Sequence, residues 1–195
     1  RRDWRNRNKI KTTNGLKWIT IPIDVKGKYY QKINEAKVKN QDWCEKHFKT
    51  LYHNYTKTDF FSQYSDWLED IYNKAKAANN LSDINYLFLK DVCGFLGIET
   101  PFSWSRDFNI EGEKSDKLLN ICLQVEATDY LSGPAAKGYL DVEKFEENGI
   151  QVEWMDYSGY PEYPQLYDGF EHGVTILDLL FNVGENAPEY MKSFK

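Results

Sequence analysis

"DYLSGPAAKGYLDVEKFEENGIQVEWMDY" (Asp129–Tyr157) contains, in order, the signals of a strand, a helix and a second strand. Its first five residues, Asp129–Gly133, predict a short strand that ends in Ser-Gly-Pro. Asp141–Asn148 has the pattern of a short helix closed by Gly149, and the alternation in "IQVEWMDY" predicts another strand. Because a helix that connects two strands is typical of parallel sheets, this stretch indicates an α/β protein.

The chain shows the same alternation of helices and strands from about Ser82 onward. Apolar spacing and polar capping residues predict one helix capped by Ser82 and another capped by Ser115 or Asp116. Pro101–Ser105 has the composition of a strand, and Thr175–Val183 that of a final helix. We therefore expect a single α/β domain that spans the chain, with a mostly parallel sheet flanked by helices.

The first part of the chain carries a hairpin signal and two further helices. Asn14-Gly15 separates Lys9–Thr13 from Leu16–Ile23, and this dipeptide favours the two-residue turn of a β-hairpin. Helical spacing of apolar residues occurs twice within residues 41–77. We expect these two helices to form an insert in the domain.

Charge is distributed unevenly along the chain. The net charge is −5, but residues 1–57 carry fifteen Lys and Arg against five Asp and Glu, whereas residues 141–195 carry three against twelve. This asymmetry has two compatible interpretations: a basic site for an anion, or a basic segment docked on an acidic C-terminal part. The negative total argues against a general nucleic-acid binder.

Cysteine usage and hydropathy point to the inside of the cell. Cys44, Cys93 and Cys122 are far apart in the sequence and form no CxxC pair, which indicates free thiols in a reducing compartment. The apolar runs are too short and too charged to span a bilayer, and no signal peptide is recognisable. We expect a cytoplasmic protein without a membrane partner, and the abrupt start at Arg1 predicts that a natural N-terminal segment is missing.

"RRDWRNRNKI" (Arg1–Ile10) contains four of the five arginines in the chain. The planar guanidinium of arginine binds phosphate or carboxylate through two parallel hydrogen bonds. In an extended segment Asn6 and Asn8 would share one face with Trp4, and Arg7 would lie on the other face with its basic neighbours. The segment is either a binding site for a polar, anionic ligand or a solvated basic edge strand.

"YLSGPAAKGYLD" (residues 130–141) follows the first strand of the strand–helix–strand stretch. Ligands of α/β proteins bind at the carboxyl ends of strands. Ser132 can donate a hydrogen bond to a phosphate, Gly133 permits close approach of the backbone, and Lys137 supplies charge. The alternative is a plain turn with a helix cap, since neither GxxxxGK[ST] nor GxGxxG is present.

Two residues near the C-terminus are candidates for acid–base chemistry. His172 lies in the acidic, tyrosine-rich stretch Tyr157–Gly173, and the pKa of histidine suits neutral pH. Asp178 interrupts the apolar "VTILDLLF", where a carboxylate must be paired or lie at a pocket. The alternatives are an exposed loop histidine and the polar face of an amphipathic helix. Cys44 and His47 lack further ligands at zinc-like spacing, so no metal site is expected.

Three stretches resemble, in the same order and nearly end to end, the WbqC-like family. They are "WRNRNKI" with "KWITIPI", then "ATDYLSGPAAKGYLD", then "YPQLYDGF" with "VTILDLLFNVG". That family is bacterial and is often encoded with genes for surface-polysaccharide synthesis. The resemblance implies modification of amino sugars, including transfer of glycine to an amino-deoxy sugar. The motif positions that it implies for ligand binding or chemistry are Trp4, Asn6, Arg7, Asn8, Ser132, Gly133, Lys137, Tyr139, Gln165, Asp178 and Asn182.

The sequence departs from the family at its start. Family members usually begin with a strand followed by a Gln-Pro-x-Tyr and a Gly-Tyr-Phe motif, ahead of the basic segment. Neither motif occurs here before Trp4. We therefore expect a first strand and its loop near the ligand site to be missing.

The function we expect is surface-polysaccharide (O-antigen-type) biosynthesis on a nucleotide-linked amino sugar, with aminoacyl (glycyl) transfer as the reaction. Such a transfer needs a base for the ammonium proton of the amine, and Asp178 or His172 would supply it. The alternative is a non-catalytic protein that binds an anionic glycan, a nucleotide sugar or an assembly partner. No nucleic-acid partner is expected, the cofactor is left open, and a homo-oligomer is compatible with the sequence.

Overall fold

The computed structural model describes residues 4–28 and 30–194. Its strands and α-helices in that part of the chain are β1 (Arg7–Thr12), β2 (Gly15–Thr20), α1 (Asp42–Tyr55), α2 (Phe61–Ala75), α3 (Leu81–Phe95), α4 (Ser115–Gln124), β3 (Asp129–Ser132), α5 (Val142–Glu147), β4 (Gln151–Trp154) and α6 (Ile176–Val183). The backbone forms two compact units, unit 1 with residues up to Glu99 and from Tyr160 onward, and unit 2 with residues 100–159. The single domain stays a prediction.

The hairpin predicted at the start of unit 1 is confirmed. β1 pairs with β2 in antiparallel orientation, from Arg7 opposite Thr20 to Thr12 opposite Gly15. Gly15 has a φ of +90°, a conformation that glycine adopts without the strain a Cβ atom would introduce. The two turn residues are Thr13 and Asn14, one position before the predicted Asn14-Gly15 pair, and Gly15 begins β2 opposite Thr12.

Helices form most of the core of unit 1. Four helices each contribute at least one completely buried residue, among them Leu51 of α1, Leu68 of α2, Ile84 of α3 and Leu180 of α6. Ile10 of β1 is completely buried in the same cluster. The two helices predicted within residues 41–77 are confirmed as α1 and α2, and their apolar faces belong to this core.

Two helix caps and one strand differ from the predictions. Asn80, not Ser82, caps α3, because the Asn80 Oδ1 accepts a hydrogen bond from the Ser82 amide at 2.8 Å. α4 begins at Ser115, so its cap position precedes both predicted residues. Pro101–Ser105 forms no strand; proline lacks the N–H that a strand ladder needs, and the segment has no strand beside it in the described part of the chain.

Unit 2 contains the predicted strand–helix–strand arrangement. β3 pairs in parallel with β4, from Asp129 opposite Gln151 to Ser132 opposite Trp154. α5 connects them, and its Phe145 is completely buried in the core of this unit. The parallel pair predicted from this stretch is therefore confirmed.

The larger, mostly parallel sheet is not confirmed. Within residues 4–28 and 30–194, strand pairing consists of one antiparallel hairpin in unit 1 and one parallel pair in unit 2. A two-residue turn joins only antiparallel strands, whereas a parallel pair needs a long crossover, which β3 and β4 have. The chain is thus a mixed α/β protein in which helices contribute most of the buried apolar residues of unit 1.

Candidate functional site

Unit 1 contains a cavity of about 350 Å³, a volume within the range of small-molecule sites. Its wall is formed by the residues around the hairpin and by parts of α1, α2, α3 and α6. Most of the wall is apolar or aromatic and includes Ile19, Leu68, Ile71, Phe88, Val92 and Leu177. The basic sequence motif Arg5–Asn8 also lines the cavity and is called the basic edge below.

A more open depression of about 550 Å³ lies in the loop between β2 and α1. Its polar groups already have local partners: the Lys28 Nζ donates to the Asp24 Oδ2 at 2.7 Å, and the Glu35 Oε2 accepts from the Lys32 amide at 3.0 Å. The cavity is therefore the better candidate site.

The residues of the basic edge differ in their surroundings. Arg5 and Asn8 are exposed, so the basic edge borders solvent. Asn6 is buried, its Nδ2 donates to the Ile21 carbonyl at 3.0 Å, and its own carbonyl accepts from the Ile21 amide at 2.8 Å. Asn6 thus ties the start of β1 to the chain beyond β2. The side chain of Trp4, also predicted as a binding residue, lies outside what the structure describes.

Arg7 brings a positive charge to the cavity. Its guanidinium lies 4.1 Å from the ring centroid of Trp18, and the Lys9 Nζ lies 5.1 Å from the same ring. Among the described residues no carboxylate pairs with this guanidinium, and its Nε is buried without an acceptor. Stacking on a ring holds a cation without neutralising it. The charge of Arg7 is therefore available to an anionic ligand.

His47 of α1 lies in the cavity wall as a neutral acceptor. Its Nε2 is 3.1 Å from the Thr20 carbonyl oxygen. Because a carbonyl only accepts hydrogen bonds, Nε2 carries the proton and Nδ1 keeps a lone pair. Burial lowers the pKa of His47 to about 4, so the imidazole is uncharged at neutral pH.

Asp178 of α6 lies at the centre of a buried polar cluster and does not line the cavity. Its side chain is 1% exposed, and its Oδ2 accepts a hydrogen bond from the Tyr55 hydroxyl at 2.7 Å. Its Oδ1 accepts from the Tyr163 hydroxyl at 2.8 Å and from the Gln165 Nε2 at 3.0 Å. The Asn182 Nδ2 donates to the Asp178 carbonyl at 2.7 Å. Burial raises the pKa of Asp178, and the donated hydrogen bonds oppose that rise.

Lys11 of β1 completes this cluster. It is 3% exposed, and its Nζ donates to the Gln165 Oε1 at 2.9 Å, to the Tyr167 carbonyl at 2.6 Å and to the Gly169 carbonyl. The cluster therefore connects β1 and α1 with α6 and with the loop that precedes it. Gln165 and Asn182, predicted as binding residues, serve this cluster in the structure.

The other predicted acid–base residue is also away from the cavity wall. His172 is exposed, and its ring lies perpendicular to Phe170 at a centroid distance of 4.5 Å. Of the predicted site residues in unit 1, Asn6, Arg7 and Asn8 share the cavity, whereas Asp178 and His172 do not line it.

The remaining predicted residues belong to unit 2. Ser132 is buried at the end of β3, and Gly133 follows it at the start of a short turn of 3₁₀-helix. The Lys137 Nζ lies 5.4 Å from the ring centroid of Trp154, and Tyr139 is exposed. The Trp154 ring thus holds the Lys137 ammonium beside the carboxyl end of the parallel pair.

In the described part of the chain, His, Cys, Asp and Glu side chains form no group of three that could hold a metal ion. None of the described helices has the length and apolar character needed to cross a membrane. Cys44, Cys93 and Cys122 are free thiols.

These features define a mixed α/β protein whose cavity is apolar inside and basic at one edge. The chain belongs to the WbqC-like protein family, whose model matches residues 1–190, and this confirms the resemblance. It is 46% identical over 192 residues to the uncharacterized protein Rv1507c of Mycobacterium tuberculosis, an alignment that covers 98% of this chain and 83% of that protein. No solved structure matches the chain. The association of this family with polysaccharide biosynthesis comes from its name alone.

Proposed function

We propose that the cavity of unit 1 binds a nucleotide-linked amino sugar and that the protein serves surface-polysaccharide biosynthesis through this ligand. The observation that carries the proposal is the Arg7 guanidinium, which lines the cavity and has no counter-charge among the described residues. A diphosphate is suited to this group because it accepts two parallel hydrogen bonds from a guanidinium. Membership of the WbqC-like family supports the assignment to polysaccharide biosynthesis.

The character of the cavity wall favours a nucleotide-linked sugar over a free sugar. An apolar wall leaves the hydroxyls of a free sugar without partners, which costs binding free energy. A nucleotide-linked sugar has a flat aromatic base at one end and two charged phosphates in the middle. Such an amphiphilic anion matches an apolar cavity with a basic edge.

The geometry supports binding more directly than catalysis. Asp178 already accepts three side-chain hydrogen bonds within 3.0 Å, and neither Asp178 nor His172 lines the cavity. Aminoacyl (glycyl) transfer to the amino group of the bound sugar remains the activity that the family resemblance implies. The second candidate function, a non-catalytic nucleotide-sugar binder, is favoured by this placement of Asp178. Mass spectrometry of the sugar after incubation with aminoacyl donors separates the two.

A thermal-shift panel tests the binding proposal. A ligand that binds only the folded state raises the melting temperature by mass action. We expect UDP-linked and dTDP-linked amino sugars to raise it, and the matching free amino sugars to leave it unchanged. A DNA duplex of equal phosphate concentration is the control for unspecific anion binding. Equal shifts from the duplex, or no shift from any nucleotide-linked sugar, would contradict the proposal.

A further inference from the structure

Three residues that line the cavity each carry a polar atom without a hydrogen-bond partner among the described residues. Trp43 is 2% exposed, and its Nε1 is buried without an acceptor. Tyr72 is 5% exposed, and its hydroxyl makes no hydrogen bond within the described residues. His47 is 8% exposed and uses only its Nε2, so its Nδ1 has no donor in that part of the chain. Of these three atoms the Trp43 Nε1 is the fully buried one, and buried polar atoms without partners are rare in native proteins and call for an explanation.

These three rings are neighbours. The centroid of Trp43 lies 5.1 Å from that of His47 and 5.9 Å from that of Tyr72, and the centroids of His47 and Tyr72 are 6.1 Å apart. All three line the same cavity, together with apolar residues such as Leu68 and Phe88. They are three neighbouring side chains with polar atoms in a mostly apolar wall and are called the aromatic triad below.

The hydrogen-bonding roles of the aromatic triad are fixed by its chemistry. The indole Nε1 of Trp43 can only donate, and the Nδ1 of His47 can only accept because Nε2 carries the proton. The hydroxyl of Tyr72 can do either. A ligand that satisfies all three must present both a donor and an acceptor, on a body flat and apolar enough for an aromatic cavity.

A nucleobase meets these conditions better than a sugar ring does. Every base carries a ring edge on which an N–H donor lies beside a nitrogen or oxygen acceptor, and its two faces are apolar. A sugar ring carries hydroxyls on several sides, more than three protein atoms can satisfy, and the remaining wall offers mostly carbon.

We propose, as a deepening of the proposed function on which it rests, that the aromatic triad of Trp43, His47 and Tyr72 binds the base of the nucleotide. The nucleotide then enters base first. Its diphosphate lies at the basic edge near Arg7, and the sugar points toward solvent. Base identity is recognised by the triad, and charge is recognised by Arg7.

Calorimetric titration with diphosphates tests this orientation. The probes are UDP, dTDP, CDP, ADP and GDP, and ribose 5-diphosphate, which has the same charged group without a base. We expect the tightest nucleoside diphosphate to bind at least about tenfold more strongly than ribose 5-diphosphate, since hydrogen bonds and stacking of the base are lost in the latter. Arg7→Ala should weaken all six probes.

Tyr72→Phe is the decisive variant, because it removes one hydroxyl that has no partner in the described residues and so should fold normally. We expect it to weaken the nucleoside diphosphate roughly three- to tenfold and to leave ribose 5-diphosphate unchanged. His47→Gln, whose amide can still donate to the Thr20 carbonyl, should act in the same direction. Tyr52→Phe, on the exposed side of α1, is the matched control and should change nothing.

The outcomes separate the two proposals. Equal binding of ribose 5-diphosphate and all five nucleotides, with Arg7→Ala still weakening them, overturns base-first binding and leaves the nucleotide-sugar site intact. An equal loss for both kinds of probe in Tyr72→Phe also overturns it. If none of the six probes binds, base-first binding is wrong, and the thermal-shift panel with nucleotide-linked sugars decides the proposed function independently.

Discussion

Lys11 and Asp178, 3% and 1% exposed, are two buried charges of opposite sign that are connected through an amide. Gln165 lies between them: its Oε1 accepts from the Lys11 Nζ at 2.9 Å, and its Nε2 donates to the Asp178 Oδ1 at 3.0 Å. An amide has both a donor and an acceptor, so it can serve a cation and an anion at the same time. Removing it would leave both charges underpaired in a low-dielectric interior.

Gln165→Leu should therefore destabilise the fold by about 2–4 kcal/mol, because two buried charged groups each lose a hydrogen bond. Gln63→Leu, at an exposed position of α2, is the matched control and should change stability by less than about 0.5 kcal/mol. Urea unfolding at pH 7 measures both values. Similar free energies of unfolding for the two variants would show that the cluster is not what holds the loop before α6.

His47 makes stability depend on pH. Burial lowers its pKa from the ordinary 6.5 to about 4. As pH falls below about 6.5, the unfolded state binds a proton that the folded state excludes, so the free energy of unfolding decreases until about pH 4. From pH 7 to about pH 4.5 this loss should be about 2–3 kcal/mol.

The test is urea unfolding of the wild type and of His47→Gln at both pH values. The variant lacks this titration, so its stability should fall less steeply than that of the wild type. Parallel pH profiles for the two proteins would contradict a lowered pKa at His47.

The burial of a single charged residue can be predicted from the sequence only where its charge conflicts with apolar neighbours in the sequence. Asp178 is conspicuous because a carboxylate interrupts an apolar helix, and the structure confirms that it is buried and paired. Lys11 gives no such signal, since the alternation of β1 places it opposite the buried Ile10, on the face that usually meets solvent. Its burial depends on carbonyls of Tyr167 and Gly169, more than 150 residues away in sequence.

Elements with strong local signals were predicted, and those that depend on distant partners were not. The Asn-Gly signal identifies the β1–β2 hairpin, although the turn itself is Thr13–Asn14, and apolar spacing identifies α1 and α2. The cap of α3 was misassigned because Asn80 and Ser82 are both good capping residues, two positions apart. A strand composition at Pro101–Ser105 could not reveal that this segment finds no strand to pair with.

Gly184, directly after the last residue of α6, is constrained both by its backbone conformation and by the packing around it. It has a φ of +60°, and a Cβ atom there would overlap the ring of Phe60. Gly97, after the end of α3, has a φ of +70° and nothing within 4 Å of such an atom. The two glycines share a positive φ but differ in the space around them.

Gly97→Ala should cost about 1 kcal/mol from backbone strain alone. Gly184→Ala should cost roughly 2–4 kcal/mol, since overpacking against Phe60 is added to its backbone strain. Thermal and urea unfolding of both variants, read by circular dichroism, compares them. Equal losses would mean that the Phe60 ring moves aside without cost.

For the whole molecule, the central feature is a basic first third in an acidic chain. In the described residues, ion pairs do not connect residues 1–57 with residues 141–195; those of the first third, such as Lys28 with Asp24, are local. Lys11 does join the acidic part, but through hydrogen bonds to carbonyl and amide oxygens. Much of the basic charge is therefore left to attract anions from solution.

Salt dependence distinguishes a small anion from a nucleic acid. A nucleotide-linked sugar has two charged phosphates, so the logarithm of its affinity should fall with the logarithm of salt concentration with a slope of about −1 to −2. A DNA duplex that neutralises several phosphates would give a slope of roughly −5 or steeper. Titrations from low to high salt with both ligands measure this. A steep slope together with tight duplex binding would favour a nucleic-acid partner.

The most direct test of the account is calorimetric titration of the nucleotide-linked amino sugar that stabilises the protein most, with the wild type, Arg7→Ala and Lys57→Ala. Lys57 is exposed and does not line the cavity, so it controls for loss of one positive charge. We predict that Arg7→Ala weakens binding by about tenfold or more and that Lys57→Ala stays within about twofold of the wild type. Equal effects of the two variants would contradict a diphosphate site at Arg7.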